Sequence, residues 1–399
     1  MLFLSGGQIV YAQLADKLFT TDPQIDSLQK GKLSVEVDNL SFYKNNEFAS
    51  TVQKGYTLPG FWLQLKAVYY PLSNLKVEAG VHSVWFWGAM RYPAIAYKDI
   101  PTWSGRDYSN NVHLLPHFRA NLALSDNVNI VLGDIYGGSN HHLIEPLYNP
   151  ELNLTSDPEK GLQILYKTKW LDLDLWADWL SFIYNLDTHQ EAFVTGGSAR
   201  FKLNSPESRF HKYLLLQGLI HHKGGEIDTT NTFVQTVMNG VLGAGLKWNV
   251  NGNVIDYVNV EFDMAGYTFP KGHSSYFKQG RGIYSKVSMQ MKDFNLSTSY
   301  WSCRDFVSLF GSGFYSSISS KEEGMLYYRP KMLHIGADYT RSLGKGFVFG
   351  INAEAYYYLS GKMYSAEDGV YQPSAFGSNA NFSMGVYMRI NPSFLIKQY

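Results

Sequence analysis

Apolar and polar residues alternate with a period of two along most of this chain, most plainly in Leu171-Asp172-Leu173-Asp174-Leu175-Trp176-Ala177-Asp178-Trp179. Odd positions there are apolar and even positions mostly carboxylates, so an extended strand sends the two sets to opposite faces. The pattern predicts strands over 33–44, 58–70, 75–88, 112–124, 128–137, 161–169, 171–183 and 191–203. It continues over 212–222, 233–248, 254–265, 280–291, 294–303, 331–341, 347–359 and 379–390. Most are long enough for a tilted strand to cross a bilayer.

Gaps between these segments are short and long by turns. Residues 71–74, 125–127, 170, 249–253, 292–293 and 342–346 are short, and 204–211 is a longer member of that set. Between them lie 45–57, 89–111, 138–160, 184–190, 223–232, 266–279, 304–330 and 360–378. The expectation is an all-β chain closed into one transmembrane antiparallel β-barrel of about 16 strands (14–18), with short periplasmic turns and long extracellular loops. An even strand count puts both termini on the periplasmic side. The barrel domain would be 33–399, preceded by a periplasmic lead-in over 13–32. Residues 1–12 read as the remnant of a secretory signal, with Val10-Tyr11-Ala12 before cleavage.

One face of each strand suits lipid. Leu75, Val77, Ala79 and Val81 form such a face, as do Leu114, Phe118, Ala120 and Leu122. Phe347, Phe349, Ile351, Ala353 and Ala355, and then Phe382, Met384, Val386 and Met388, repeat it without a charge. Tyr and Trp gather near strand ends, where a ring meets hydrocarbon and water together.

Composition narrows the function. Lys plus Arg and Asp plus Glu both number 34, so no global basic signal points to nucleic acid. Cys303 is the single cysteine, which excludes an intrachain disulfide and reads as an inert small residue. The longest uncharged run, 229–246, is too polar for a membrane-spanning helix.

On strand number, loop asymmetry and a final aromatic, Tyr399, residues 33–399 resemble the sixteen-stranded outer-membrane porins of Gram-negative bacteria. The resemblance implies residence in the bacterial outer membrane after secretion to the periplasm. It implies a porin-like channel for passive or substrate-selective diffusion of small hydrophilic solutes. Its partners would be outer-membrane lipid, those solutes, and copies of the chain in a homo-trimer or larger outer-membrane complex. In such porins the third extracellular loop folds inward and narrows the pore. Carried over, His141, His142, Glu145, Tyr148 and Glu151 would line a constriction, with the loop held near Arg119 or Lys66.

The inward faces hold both signs of charge. Lys66, His82, His117, Arg119, Lys167, Lys169, Asp172, Asp174, Asp178, Arg200 and Lys202 are candidate pore-lining residues. They fit a charged wall that selects solutes and a salt-bridged wall that stabilises the barrel equally well. Read as a two-residue turn, Trp170-Leu171 pairs Lys169 with Asp172 and Lys167 with Asp174. Two adjacent imidazoles, His141 and His142, would make a constriction pH-sensitive between about pH 5 and 8. No metal or cofactor is expected: four residues of strand hold His113 and His117 roughly 13 Å apart, and His141-His142 and His221-His222 lack the spaced third ligand of a zinc motif. No nucleophile, metalloprotease or nucleotide signature appears, so no catalytic residue is assigned. A plugged barrel serving an envelope-assembly or surface complex, and an outer-membrane hydrolase, remain alternatives.

Overall fold

The computed structural model describes residues 14–87, 112–184, 187–225, 228, 230, 232–272, 275–344, 346–365, 371–372 and 379–399. The expected signal remnant, 1–12, and loop 89–111 lie outside the described residues, as does much of 360–378.

The strands are β1 (Lys32–Phe48), β2 (Thr57–Leu72), β3 (Leu75–Phe86), β4 (Val112–Ser125), β5 (Val128–Asp134) and β6 (Lys160–Lys167). There follow β7 (Leu171–Ser181), β8 (Ala192–Lys202), β9 (Phe210–Lys223), β10 (Gln235–Asn249), β11 (Tyr257–Lys271) and β12 (Gln279–Met291). The last are β13 (Phe294–Arg304), β14 (Met325–Gly344), β15 (Phe347–Ser365), β16 (Tyr371–Gln372), β17 (Ala380–Ile390) and β18 (Ser393–Gln398). Strands β1 to β15 each pair antiparallel with the next, β15 pairs onward with β17, and β16 only extends the outer end of β15. Closure comes where β1 pairs with β2 on one side and with β17 and β18 on the other. Strands β17 and β18 are one stave broken at Asn391-Pro392, where proline has no N–H for the ladder. The Val37 N–H bonds the Pro392 carbonyl at 3.1 Å and carries the pairing across the break. The described residues thus form a sixteen-stave closed barrel.

Closure satisfies every ladder hydrogen bond without an edge, which hydrocarbon demands of a spanning sheet. The register puts Lys76, Glu78 and His82 of β3 inside with His117 and Arg119 of β4, and leaves Leu75, Val77, Ala79 and Val81 outside. Two aromatic girdles flank the apolar belt. Phe210 with Trp248, and Phe294 with Tyr339, sit near the short turns. Phe61 with Trp85, and Trp179 with Phe193, sit near the long loops. An apolar belt between such girdles on a closed barrel is the architecture of the bacterial outer membrane, and that is where the chain resides.

Two expectations are corrected. The strand expected at 331–341 begins at Met325, because a bulge between Tyr328 and Lys331, with Arg329 at φ 50°, accommodates Pro330 without ending the pairing. The two-residue turn lies one position earlier than expected, at Lys169-Trp170 instead of Trp170-Leu171: Thr168 N–H bonds the Leu171 carbonyl, and Lys167, not Lys169, stands opposite Asp172. Asp172 takes Lys202 as its partner at 2.7 Å, and Asp174 stands opposite Leu165. Lys169 lies at the turn with its ammonium 5.2 Å from the Trp170 ring.

Leu175 projects from β7 into the belt and is 42% exposed. Leu175→Arg is expected to lower stability in bilayers by about 2–4 kcal/mol, whereas Asp172→Asn on the lumen face changes it far less. Heat-modifiable migration and urea unfolding of the two variants check this; equal behaviour would contradict the register.

Candidate functional site

The third long loop leaves the wall at β5 and turns into the lumen, and Arg119 sets that turn. Its guanidinium donates to the carbonyls of Asp134 and Ile135 and lies 4.1 Å from the centre of the Tyr136 ring. Gln163 completes the hinge, donating to the Tyr136 carbonyl and accepting its N–H. Gly133 permits the departure: at φ 91°, a Cβ there would meet the Phe118 carbonyl.

Inside, three polar residues tie the loop to three sectors of the wall. His141 lies between Asp174 of β7 at 2.7 Å and Glu159 at 2.9 Å. Its ring stacks on Trp176 at 3.5 Å, and Trp176 occupies the space that a Cβ on Gly196 would take. Glu145 accepts from Lys286 of β12 at 2.7 Å and from the Tyr315 hydroxyl at 2.7 Å, with His334 of β14 at 3.4 Å. Glu151 accepts from Asn46 of β1 at 2.8 Å and from the Tyr56 hydroxyl, with Lys44 at 3.9 Å. Strand β7 and strands β14, β15 and β1 face each other across a sixteen-stave barrel, so the loop crosses the lumen.

Burial alone would lower the His141 imidazole, but the flanking Glu159 and Asp174 outweigh it and push it up to about 10. His141 is therefore cationic throughout the pH 5–8 window in which titration was expected. Burial works against the Glu145 carboxylate too, yet Lys286 and His334 hold it well below the usual range. His142 adopts a left-handed conformation, φ 51°, stays exposed, and uses its carbonyl to accept from Gln217.

Two other segments share the lumen. The chain between β13 and β14 packs Phe306, Phe314 and Tyr315 against Tyr284, Trp301 and Tyr356 of the wall. It clasps the third loop through Ser308 Oγ to the Pro146 carbonyl and Asn149 N–H to the Phe310 carbonyl. From the periplasmic end, helix α1 (Leu14–Leu18) and the residues after it enter the barrel. Leu14 and Leu18 pack over Gly350, where a Cβ would collide with both. Arg389 donates to the carbonyls of Leu18 and Thr20, and Thr21 N–H bonds Asn140 of the third loop.

The remaining sequence candidates fall on this wall, and of the two residues expected beside the loop Arg119 bonds its backbone while Lys66 lines the cavity beneath it. Lys66 pairs with Glu78 at 2.7 Å and Glu36 at 3.7 Å. His117 contacts Asp134 and Glu78. Asp178 accepts the Lys160 N–H at 2.7 Å, and Arg200 lies 4.8 Å from the Tyr213 ring. Tyr148 bridges to Phe310, and His82 is buried against Trp62. Glu159, Trp62 and the segments 14–21 and 305–324 were not among the candidates. The apolar i, i+4 spacing of Leu14 and Leu18, and Phe306, Phe310, Phe314 and Tyr315 inside a loop, were the available signals. Among the described residues, no three His, Cys, Asp or Glu are grouped to hold a metal ion. Beneath the third loop, against β2, β3 and β7, lies a cavity of about 160 Å³.

A family model described as Lipid A 3'-O-deacylase-type matches residues 25–399, and the chain belongs to that family. Among curated proteins nothing matches. Solved structures similar to it include the outer membrane protein OpdK from Pseudomonas aeruginosa, at 12% identity and TM-score 0.48, covering 92% of this chain and 100% of that one. OccAB4 of Acinetobacter baumannii follows at 10% and 0.47, covering 92% and 99%. OmpT of Vibrio cholerae, in a trimer form, is similar at 9% and 0.46, covering 91% and 99%. The sixteen-stave architecture stands on this chain's own ladder.

His141 yields a pH prediction. Its folded value lies above the ordinary ~6.5, so its stabilisation is complete below ~6.5 and fades as pH rises toward about 10. The stability difference between wild type and His141→Ala, from urea titrations, should be largest near pH 6 and shrink by pH 10. A difference that grows with pH would contradict the carboxylate sandwich.

Proposed function

We propose that this member of the lipid A 3'-O-deacylase-type family is a substrate-selective outer-membrane channel for small hydrophilic solutes, with its third loop as the constriction. The observation that carries this reading is the crossing of the lumen by residues 135–159, tied by His141, Glu145 and Glu151 to separate wall sectors. A sixteen-strand barrel is otherwise wide enough for an aqueous channel. Beneath the loop the cavity is about 160 Å³, a size for single small molecules. The ties are ion pairs and hydrogen bonds, which a passing polar solute can exchange. His141, His142, Glu145, Tyr148, Lys66, His82, His117 and Arg119 line the constriction in this reading, and Lys167, Asp172, Asp174, Asp178, Arg200 and Lys202 its wall. Assembly as a homo-trimer belongs to the same proposal and is checked by crosslinking in native membranes.

The family's description favours a second reading, removal of an acyl chain from lipid A. It is separated from the first by mass spectrometry of lipid A incubated with the folded protein.

Planar-bilayer recording tests the channel. Deleting residues 138–153 should raise single-channel conductance several-fold while leaving heat-modifiable folding intact. Silence of both wild type and deletion at high protein concentration would overturn the proposal and favour a plugged scaffold.

A further inference from the structure

We propose that the cavity beneath the third loop holds an uncharged, polyhydroxylated molecule no larger than one sugar ring, at a subsite formed by His82, Trp62 and Ser156. The inference deepens the channel reading by naming its solute class, and rests on it for the entry of that solute.

Size sets the first limit. The cavity is about 160 Å³, and an apolar cavity of about 150 Å³ accepts one benzene. One ring fits; a disaccharide does not.

Polar atoms without partners set the second. His82 is 5% exposed and lines the cavity. Neither of its ring nitrogens has a hydrogen-bond partner among the described residues. A neutral imidazole offers one donor and one acceptor, and a hydroxyl-bearing ligand can satisfy both. Ser156 Oγ, on the third loop, is likewise buried, without a partner among the described residues, and lines the same cavity. A buried polar group left unmatched is costly, so both atoms favour a ligand with several hydroxyls.

Trp62 supplies the apolar surface. Its ring centre is 5.8 Å from that of His82, and its indole N–H is fixed on the Asn153 carbonyl at 3.2 Å. Trp62 lines the cavity, and an indole ring suits contact with the C–H side of a saturated ring.

Charge sets the last limit. The cations lining the cavity already face carboxylates: Lys66 meets Glu78 and Glu36, Arg389 meets Asp38 at 2.8 Å, and Arg119 meets Glu78. A charged guest would lose its hydration; an anion finds no free cation among the described lining residues, and a cation finds only Asp178, which already accepts the Lys160 N–H at 2.7 Å. An uncharged polyol makes no such demand.

Isothermal titration of the folded barrel in detergent tests the assignment. D-glucose, D-ribose and myo-inositol are the uncharged probes, with D-glucuronate and D-glucosamine as charged counterparts. At least one uncharged probe should bind, and its charged counterparts should bind more weakly. His82→Phe and Trp62→Leu should each weaken that binding about tenfold or more, with heat-modifiable migration unchanged. Ser156→Ala should weaken it less, and serves as the readout if His82→Phe fails to fold. No binding by any uncharged probe, tighter binding by a charged one, or full affinity in all three variants would overturn the inference. Liposome swelling separates it from the channel reading. Swelling without His82-dependent binding keeps the channel and removes the subsite; binding without swelling keeps the subsite and removes the channel.

Discussion

The buried carboxylates and ammoniums facing the lumen of this barrel have lost most of their water, and the cost of that loss is offset by ion pairs, some within the wall and others joining the wall to the chain inside it. Glu145 shows the arrangement: Lys286, Tyr315 and His334 come from three different elements to meet one carboxylate. Removing a partner from a buried pair typically costs 3–5 kcal/mol, because an uncompensated charge stays behind. Wall and loop therefore depend on each other. Lys286 and Asp174 of the wall are matched by the loop, and the loop, which has only short helical turns of its own, is held by the wall.

The same constraint explains why three segments share one lumen. The apolar seventh-loop residues Phe306, Phe314 and Tyr315 fill the side lined by β12 to β15 and exclude water there. Leu14 and Leu18 do so at the periplasmic end, against Gly350, Leu40 and Tyr387. A cavity of mixed polar and apolar lining lies between β2, β3 and the third loop, where Lys66, His82 and Trp62 converge. Filling by side chains sets both rigidity and access in this barrel, since the backbone ladder alone would leave a wide opening.

The wall was legible in the sequence and the interior much less so. Period-two alternation is imposed locally by the pleat, so Leu75 to Val81 or Phe382 to Met388 could be assigned to lipid without knowing any partner. Register at a turn is not local in that way. Trp170-Leu171 looks like a two-residue turn until Thr168 N–H and hydroxyl claim the Leu171 carbonyl, which shifts Lys167 onto Asp172. The inward course of the third loop followed from architecture, but its partners did not. Asp174 reaching His141, or Lys286 reaching Glu145, joins residues 33 and 141 positions apart. The pH expectation failed for the same reason. Two adjacent histidines suggest titration near neutrality, and only the placement of Glu159 and Asp174 on either side of His141 keeps it charged.

The central claim is that ion pairs across the lumen hold the third loop in place, and a double-mutant cycle between Glu145 and Lys286 tests it most directly. Glu145→Gln, Lys286→Met and the double variant are unfolded by urea from bilayers at neutral pH, and the coupling energy is read from the four stabilities. The account predicts a favourable coupling of about 1–3 kcal/mol, with the double variant losing clearly less than the two single losses combined. Losses that simply add, with coupling near zero, would mean that the loop is not held by this pair.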